Sequence, residues 1–457
     1  MKIRFVTLGC KLNFAESSAI GKALLQQGHT RAKQGEEADI CVINTCSVTD
    51  NADHKDRQTI HRIHRQNPNA IIIVTGCYAQ LQPEQIAQIE GVDYVLGQNE
   101  KYEITQLVDD IERLRDSLED ASLQDAASSY SLEAQKIRVA NIREVEEFHG
   151  AYSKDDRTRC FLKVQDGCNY FCTYCTIPYA RGKSRNPRIS EVVANAQQAL
   201  AQGAKEIVLT GVNIGDFGRS TGESFIDLLK ALDCLGERAP HEVTNFVGDP
   251  AEAIRREAKG MDYRIRISSC EPNLLTDEII DFVAHSKHFA PHFHIPLQSG
   301  SNEVLSIMKR RYTRELFEER IKHIKQVMPH AFIGVDCMVG VRGETEECFN
   351  DYVEFIKRLD VSQLHVFTYS ERANTRMLEL DVCIVPKAER QRRSKILHEI
   401  SEEKTKTFYA NQAGRELVVL WESKKEGDQM AGFTENYVKV HRPYDKEKVN
   451  TFEVIRL

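Results

Sequence analysis

A chain of 457 residues with 41% hydrophobic and 28% charged side chains is too long for one core and divides into two to four domains. Its longest apolar runs, such as Ile71 to Val74, are strand-sized and exclude a membrane-spanning helix. The formal net charge of −7 argues mildly against a polyanionic partner. Met1-Lys2-Ile3-Arg4-Phe5 carries no apolar secretion core, so the expected compartment is the cytoplasm, where thirteen cysteines act as thiols and metal ligands rather than disulfides.

The first hundred residues alternate strands and helices, the pattern of a parallel α/β sheet of Rossmann type. Three strands end alike. Ile3 to Leu8 runs into Gly9-Cys10, Asp39 to Ile43 into Asn44-Thr45-Cys46, and Ile71 to Val74 into Thr75-Gly76-Cys77. C-terminal strand ends share one edge of a parallel sheet, so Cys10, Cys46 and Cys77 are expected to converge as a three-thiolate site; the alternative is three unrelated buried cysteines. Cys41, inside its strand, reads as core.

An acidic and Ser/Ala-rich stretch, Asp109 to Ser131, and Arg143 to Glu147 read as a terminal helix and connector. Six strands follow with helices between them: Cys160 to Val164, Glu206 to Thr210, Arg264 to Ser268, His292 to Ile295, Phe332 to Val335 and Leu364 to Thr368. They predict an open barrel, with Gly236 to Met261 interrupting its third unit. After the first strand comes Cys168-Asn169-Tyr170-Phe171-Cys172-Thr173-Tyr174-Cys175, a CxxxCxxC. Three thiolates on one loop hold three irons of a [4Fe-4S] cluster and leave the fourth open to a small molecule; a structural zinc knuckle needs a fourth soft ligand, and none follows at the usual spacing. Other candidates stand at barrel strand ends, where such folds place chemistry: Asn213, Ser269, Glu271, Gln298 and Asp336. Each has a purely structural alternative, as has the aromatic Tyr174. Cys160, Cys234, Cys270, Cys337, Cys348 and Cys383 follow no ligand spacing and read as core.

Basic runs stand at Lys55 to Arg65, at Arg181 to Arg188, at Lys309 to Arg314 and at Arg390 to Lys395. A basic run is usually a solvated helix face. The second begins six residues after Cys175, which makes Arg181, Lys183, Arg185 and Arg188 candidates for nucleic-acid phosphates. Past Pro386 a basic helix to about Tyr409 leads into four short strands, Arg415 to Trp421, Gln429 to Phe433, Tyr437 to His441 and Thr451 to Arg456, a small β-barrel.

Together the motifs Thr7-Leu8-Gly9-Cys10, Asn44-Thr45-Cys46-Ser47 and Thr75-Gly76-Cys77-Tyr78, the CxxxCxxC, and His294-Ile295-Pro296-Leu297-Gln298-Ser299-Gly300 resemble the radical S-adenosylmethionine (SAM) methylthiotransferases over nearly the whole chain. The tail around Gly432 to Val440 is similar to a TRAM domain, a small RNA-binding barrel. Leu364 to Ser370 resembles the branch acting on tRNA that carries N6-threonylcarbamoyladenosine beside the anticodon. Arg342 departs from the family's pattern, which usually has Pro there.

The resemblance implies four parts: a methylthiotransferase domain over 1–115, a linker over 116–155, a radical SAM core over 156–385 and a TRAM-like domain over 386–457. It implies two [4Fe-4S] clusters on the six cysteines, which are the catalytic set. SAM would lie against Tyr174, Asn213, Ser269, Glu271, Gln298 and Asp336, and tRNA, an electron donor and a sulfur source would be partners without any membrane. The implied reaction puts sulfur and methyl on C2 of the modified adenosine at position 37. Alternative readings are a ribosomal-protein side chain or isopentenyladenosine as substrate, or a zinc-stabilised RNA-binding protein without catalysis.

Overall fold

The computed structural model describes residues 1–33, 35–120, 136–153, 158–235 and 263–457. The Gly236 to Met261 insert and part of the Asp109 to Ser131 stretch lie outside the described residues. Two compact units are present: 1–147 with 167–169 and 175–183, and 148–166 with 170–174 and 184–457.

The first unit holds a parallel sheet ordered β2-β1-β3-β4-β5-β6, built from β1 (Lys2–Thr7), β2 (Thr30–Arg31), β3 (Ile40–Thr45), β4 (Ile71–Gly76), β5 (Tyr94–Leu96) and β6 (Ile137–Arg138). Its helices are α1 (Lys11–Gln26), α2 (Asp50–Gln66), α3 (Cys77–Leu81), α4 (Pro83–Ala87), α5 (Ile104–Asp120) and α6 (Ile177–Arg181). Every residue of β3 is buried, as a strand covered on both faces requires. Cys41 and Ile43 pack with Ile60 and Ile63 of α2, whereas Ile40 and Val42 pack with Ile20 and Leu24 of α1 and Leu107 of α5. The expected linker is not wholly a linker, because β6 within it extends the sheet.

The second unit contains two three-stranded parallel sheets. One joins β7 (Arg159–Lys163), β8 (Glu206–Thr210) and β9 (Arg264–Ile267); the other joins β10 (His292–Gln298), β11 (Phe332–Val339) and β12 (Gln363–Thr368). Parallel bridges Ile265 to Phe289 and Ser269 to His294 connect them, giving the six strands of an open barrel. Its helices are α7 (Ile189–Ala201), α8 (Phe225–Asp233), α9 (Asp277–His285), α10 (Asn302–Ile307), α11 (Arg314–Val327) and α12 (Glu346–Arg358). Phe293, Ile295, Val335 and Cys337 share one core with Phe317 of α11 and Phe349 of α12. By strand alternation, His294, Asp336 and His365 therefore point to the face away from the helices.

Helix α13 (Lys387–Ala410) leads into the tail strands β13 (Glu416–Glu426), β14 (Gln429–Thr434), β15 (Lys439–Pro443) and β16 (Phe452–Arg456). They form an antiparallel sheet ordered β15-β14-β13-β16, a curled half-barrel. The tail is bolted to the N-terminal ends of β7 to β9. Glu206, with no exposed side-chain surface, faces Arg264 Nε at 2.6 Å and Arg266 Nη2 at 3.1 Å. Arg264 donates to the Val418 and Phe433 carbonyls at 3.0 and 3.1 Å, Arg266 to the Glu435 carbonyl at 3.0 Å, and Arg159 to the Tyr437 hydroxyl at 3.2 Å.

Candidate active site

The three strand-end cysteines of the first unit converge. Gly9 has φ +98° and a Cβ there would stand 2.6 Å from Cys46 Cβ, so only glycine lets the Cys10 turn approach the Cys46 turn. Gly76 has φ +102°, and its Cβ would lie 2.4 Å from the Thr45 carbonyl. Polar side chains tie the loops together. Asn13 donates to the Leu8 and Thr45 carbonyls at 2.8 and 3.0 Å, Thr45 to the Thr75 carbonyl at 2.5 Å, and the Cys46 amide to Asp56 at 2.9 Å. Burial pushes the Cys46 thiol up to about 12, and the Cys77 and Cys10 thiols add to the effect. Burial also raises Cys77, with Arg181 opposing it. Buried thiols that cannot ionise unaided suit a cluster, whose irons supply the missing positive charge.

Cys168 and Cys175 lie in the same unit as that set. Thr176, next to Cys175, donates to the carbonyl of Ser47, next to Cys46, at 3.4 Å. Arg181 is not a surface cation. Its guanidinium is 1% exposed, 3.1 Å from Glu16 Oε1 and 2.6 Å from Asn13 Oδ1, while Lys101 meets the other Glu16 oxygen at 2.6 Å. Arg185, in the second unit, is likewise buried against Asp166 at 3.3 Å. Lys183 and Arg188 are exposed.

In the second unit, Arg310 organises the surroundings of Cys172. Its Nη1 lies 3.1 Å from Cys172 Sγ and 3.4 Å from the Tyr174 hydroxyl, Nη2 pairs with Glu271, and Nε donates to the Tyr312 hydroxyl at 3.1 Å. Burial raises the Cys172 thiol and Arg310 works against it; burial likewise raises Glu271, again with Arg310 opposing. Phe171 and Lys309, flanking this contact in sequence, have φ of +50° and +54°, and Gln298 has +64°. Left-handed backbone at non-glycine residues costs about 1 kcal/mol or more each and clusters at functional sites.

Asn213 and Gln298 stand at the ends of β8 and β10. Both polar atoms of the buried Asn213 amide, and Gln298 Oε1, have no hydrogen-bond partner among the described residues. The Gln165 carbonyl oxygen accepts from the Val212 and Asn213 amides at 2.9 Å and fixes that turn. Asp336 lies 2.8 Å from His294 Nε2, whose Nδ1 is 2.9 Å from Ser269 Oγ; His365 Nδ1 is 3.8 Å from Asp336. The strand-end residues thus split, with Asn213 and Gln298 presenting unmet polar atoms and Ser269, Glu271 and Asp336 bound into networks. Arg310, His294 and His365 are functional candidates that the sequence reading did not single out. The clue to the histidines is their placement on the inward face of a strand. Cys160, Cys270, Cys337 and Cys348 are core, but Cys234 and Cys383, expected there, are exposed.

The Cys10, Cys46 and Cys77 thiols fit an iron–sulfur cluster, and the unmet polar atoms of Asn213 and Gln298 fit a small polar ligand. Residues 2–97 match the family described as Uncharacterized protein family UPF0004, and residues 162–356 match the Radical SAM superfamily. The threonylcarbamoyladenosine tRNA methylthiotransferase MtaB of Bacillus subtilis (strain 168) is 37% identical over 96% of this chain and 89% of its own length. MtaB of Aquifex aeolicus (strain VF5) is 34% identical over 98% of both. A tRNA-2-methylthio-N(6)-dimethylallyladenosine synthase from Pelotomaculum thermopropionicum is 28% identical over 94% and 88%. Among solved structures, the radical SAM methyltransferase TsrM from Kitasatospora setae, with cobalamin and a [4Fe-4S] cluster bound, aligns with TM-score 0.53 at 15% identity, covering 80% of this chain and 72% of that one. It shares the fold.

Proposed function

The chain belongs to the radical SAM methylthiotransferase family that includes the MtaB enzymes, and on that basis we propose that it is a tRNA methylthiotransferase acting at C2 of N6-threonylcarbamoyladenosine, position 37. The observation that carries this reading is the pair of three-cysteine sets, one converging on the edge of a parallel sheet and the other on the loop after the first barrel strand.

No side-chain base removes an adenine C2 proton at neutral pH. When bound, the clusters and SAM supply a radical route to that C–H bond, the sulfur and the methyl group. The protein's own residues do the rest. Cys168, Cys172 and Cys175 hold one cluster and Cys10, Cys46 and Cys77 the other. Asn213 and Gln298 offer buried, unmet polar atoms to the amino-acid end of SAM, and Tyr174 offers its ring to the adenine. Arg310 sets the polarity around Cys172 and holds Glu271 in place, while Ser269, His294 and Asp336 line the inward face of the barrel. Lys183 and Arg188 are the exposed phosphate contacts of their run. The parts we assign are the methylthiotransferase domain over 1–115, the radical SAM core over 156–385 and the TRAM-like, RNA-binding part over 386–457. The partners are tRNA, a low-potential electron donor and a sulfur source, all in the cytoplasm.

The test is anaerobic reconstitution with iron, sulfide, SAM, reductant and tRNA bearing N6-threonylcarbamoyladenosine, followed by nucleoside mass spectrometry. A gain of one methylthio group on that nucleoside is expected. Its absence, with the clusters spectroscopically intact, overturns the substrate assignment.

A further inference from the structure

We propose that the outward face of α2 is a phosphate-binding surface for the tRNA backbone. The inference rests on the tRNA reading above and adds a contact surface to it. Helix α2 is fixed by Thr49, which caps it by accepting from the Ala52 amide. Its buried side carries Asp53, Asp56, Thr59, Ile60 and Ile63. Asp56 holds the Cys46 amide at 2.9 Å and Asp53 accepts from the Ser47 hydroxyl at 2.7 Å, so these two carboxylates turn inward. Beyond Asp50 in the first turn, the charges that remain outward are all positive. Lys55, Arg62 and Arg65 are exposed and, with His61 and His64, line a groove of about 700 Å³ whose one acid is Glu90 on the rim.

Pairing separates this run from most arginines of the other basic runs, exposed Arg188 apart. Arg181 and Arg185 are buried in ion pairs, Arg310 and Arg314 are held by Glu271 and Asp351, and Arg392 and Arg393 by Glu346 and Glu344. An acid three or four residues from a helical cation partly neutralises it, and Lys55, Arg62 and Arg65 have none at those spacings. Among the described residues, Lys55, Arg62 and Arg65 make no ion pair. Lys55 and Arg65 stand ten residues apart, about 15 Å of helix axis, long enough to follow several consecutive phosphates. A groove of that length lined by three unpaired cations suits a polyanionic backbone, where contacts position the nucleic acid.

The experiment is filter binding of the reconstituted full chain to tRNA carrying N6-threonylcarbamoyladenosine across a potassium chloride series. Each phosphate neutralised contributes about 0.7–0.9 to the slope of log affinity against log salt. The variant Lys55→Gln/Arg62→Gln/Arg65→Gln is expected to lose about two to three units of slope, with SAM cleavage in the absence of tRNA unchanged. The charge-retaining variant Lys55→Arg/Arg62→Lys/Arg65→Lys is expected to keep the wild-type slope. An unchanged slope in the glutamine variant overturns the inference and leaves the proposed activity standing. Loss of slope in the charge-retaining variant also overturns it, since shape rather than charge would then be responsible. Absence of any wild-type binding sinks the tRNA reading itself.

Discussion

Glu206→Gln isolates the contact that fixes the tail to the barrel. Glu206 is fully buried and takes charge-assisted contacts from Arg264 and Arg266, which spend their remaining donors on tail carbonyls. The amide removes the countercharge and sets an N–H donor against guanidinium donors. Breaking a buried ion pair by removing one partner costs about 3–5 kcal/mol. The chain has one tryptophan, Trp421, buried in β13 with its indole donating to Glu453 at 2.7 Å, so its fluorescence follows the tail. With a urea dependence of about 2 kcal/mol per molar, the Trp421 transition is expected to fall by about 1.5–2.5 M. Acid supplies a second arm. Burial would raise the Glu206 pKa, but Arg264 and then Arg266 outweigh it and hold the carboxyl well below the usual range. Burial pulls Arg264 the other way, but a guanidinium stays charged. A depressed folded pKa gives stability that is complete above the unfolded value of about 4.3 and is lost as pH falls toward the folded one. The gap between wild type and variant should therefore narrow from pH 6 to pH 3. A midpoint shift below about 0.5 M at pH 7 would refute the account of the tail as ionically clamped.

Cys172→Ala should abolish SAM cleavage while keeping about half the iron, since the other three-cysteine set has its own ligands; iron analysis and deoxyadenosine assay decide it, and full SAM cleavage would refute it. Replacing Cys10, Cys46 and Cys77 together with Ala should spare deoxyadenosine formation and stop methylthiolation, and any methylthiolated product would end the sulfur-carrier role. Gly76→Ala should cost about 2 kcal/mol or more, because its φ is left-handed and the added Cβ meets the Thr45 carbonyl; in an iron assay it should lower loading at the Cys77 set alone. Glu16→Gln should destabilise the first unit by about 3–5 kcal/mol by stranding Arg181 and Lys101, read as an earlier circular-dichroism transition.

Local patterns were legible wherever the information is local. The span of β8 reads off the sequence to the residue, and the CxxxCxxC announces itself within eight residues. The convergence of Cys10, Cys46 and Cys77 followed from one rule about strand ends. The strands β10 and β11 run longer than expected, to Gln298 and Val339, because polar inward-facing residues such as Gln298 and Asp336 break the apolar signal at their ends. Short strands such as β2, both of whose residues are exposed, leave no pattern at all. The basic run after Cys175 looked like a surface because nothing near Arg181 reveals Glu16, 165 positions away in sequence. Arg310 was hidden for the same reason: its partners Cys172 and Glu271 lie 138 and 39 positions distant.

The cradle around Cys10, Cys46 and Cys77 also bears on turnover. Its loops are joined by hydrogen bonds that Asn13 and Thr45 donate and one that Asp56 accepts from the Cys46 amide, and they hang from neighbouring strands of one sheet. Small zinc domains fold only around their metal; this scaffold draws its order from the sheet. Were the group held there to give up its sulfur, as the proposed function has it, a cradle that keeps its shape between cycles would let it be refilled in place, without refolding the domain that carries it.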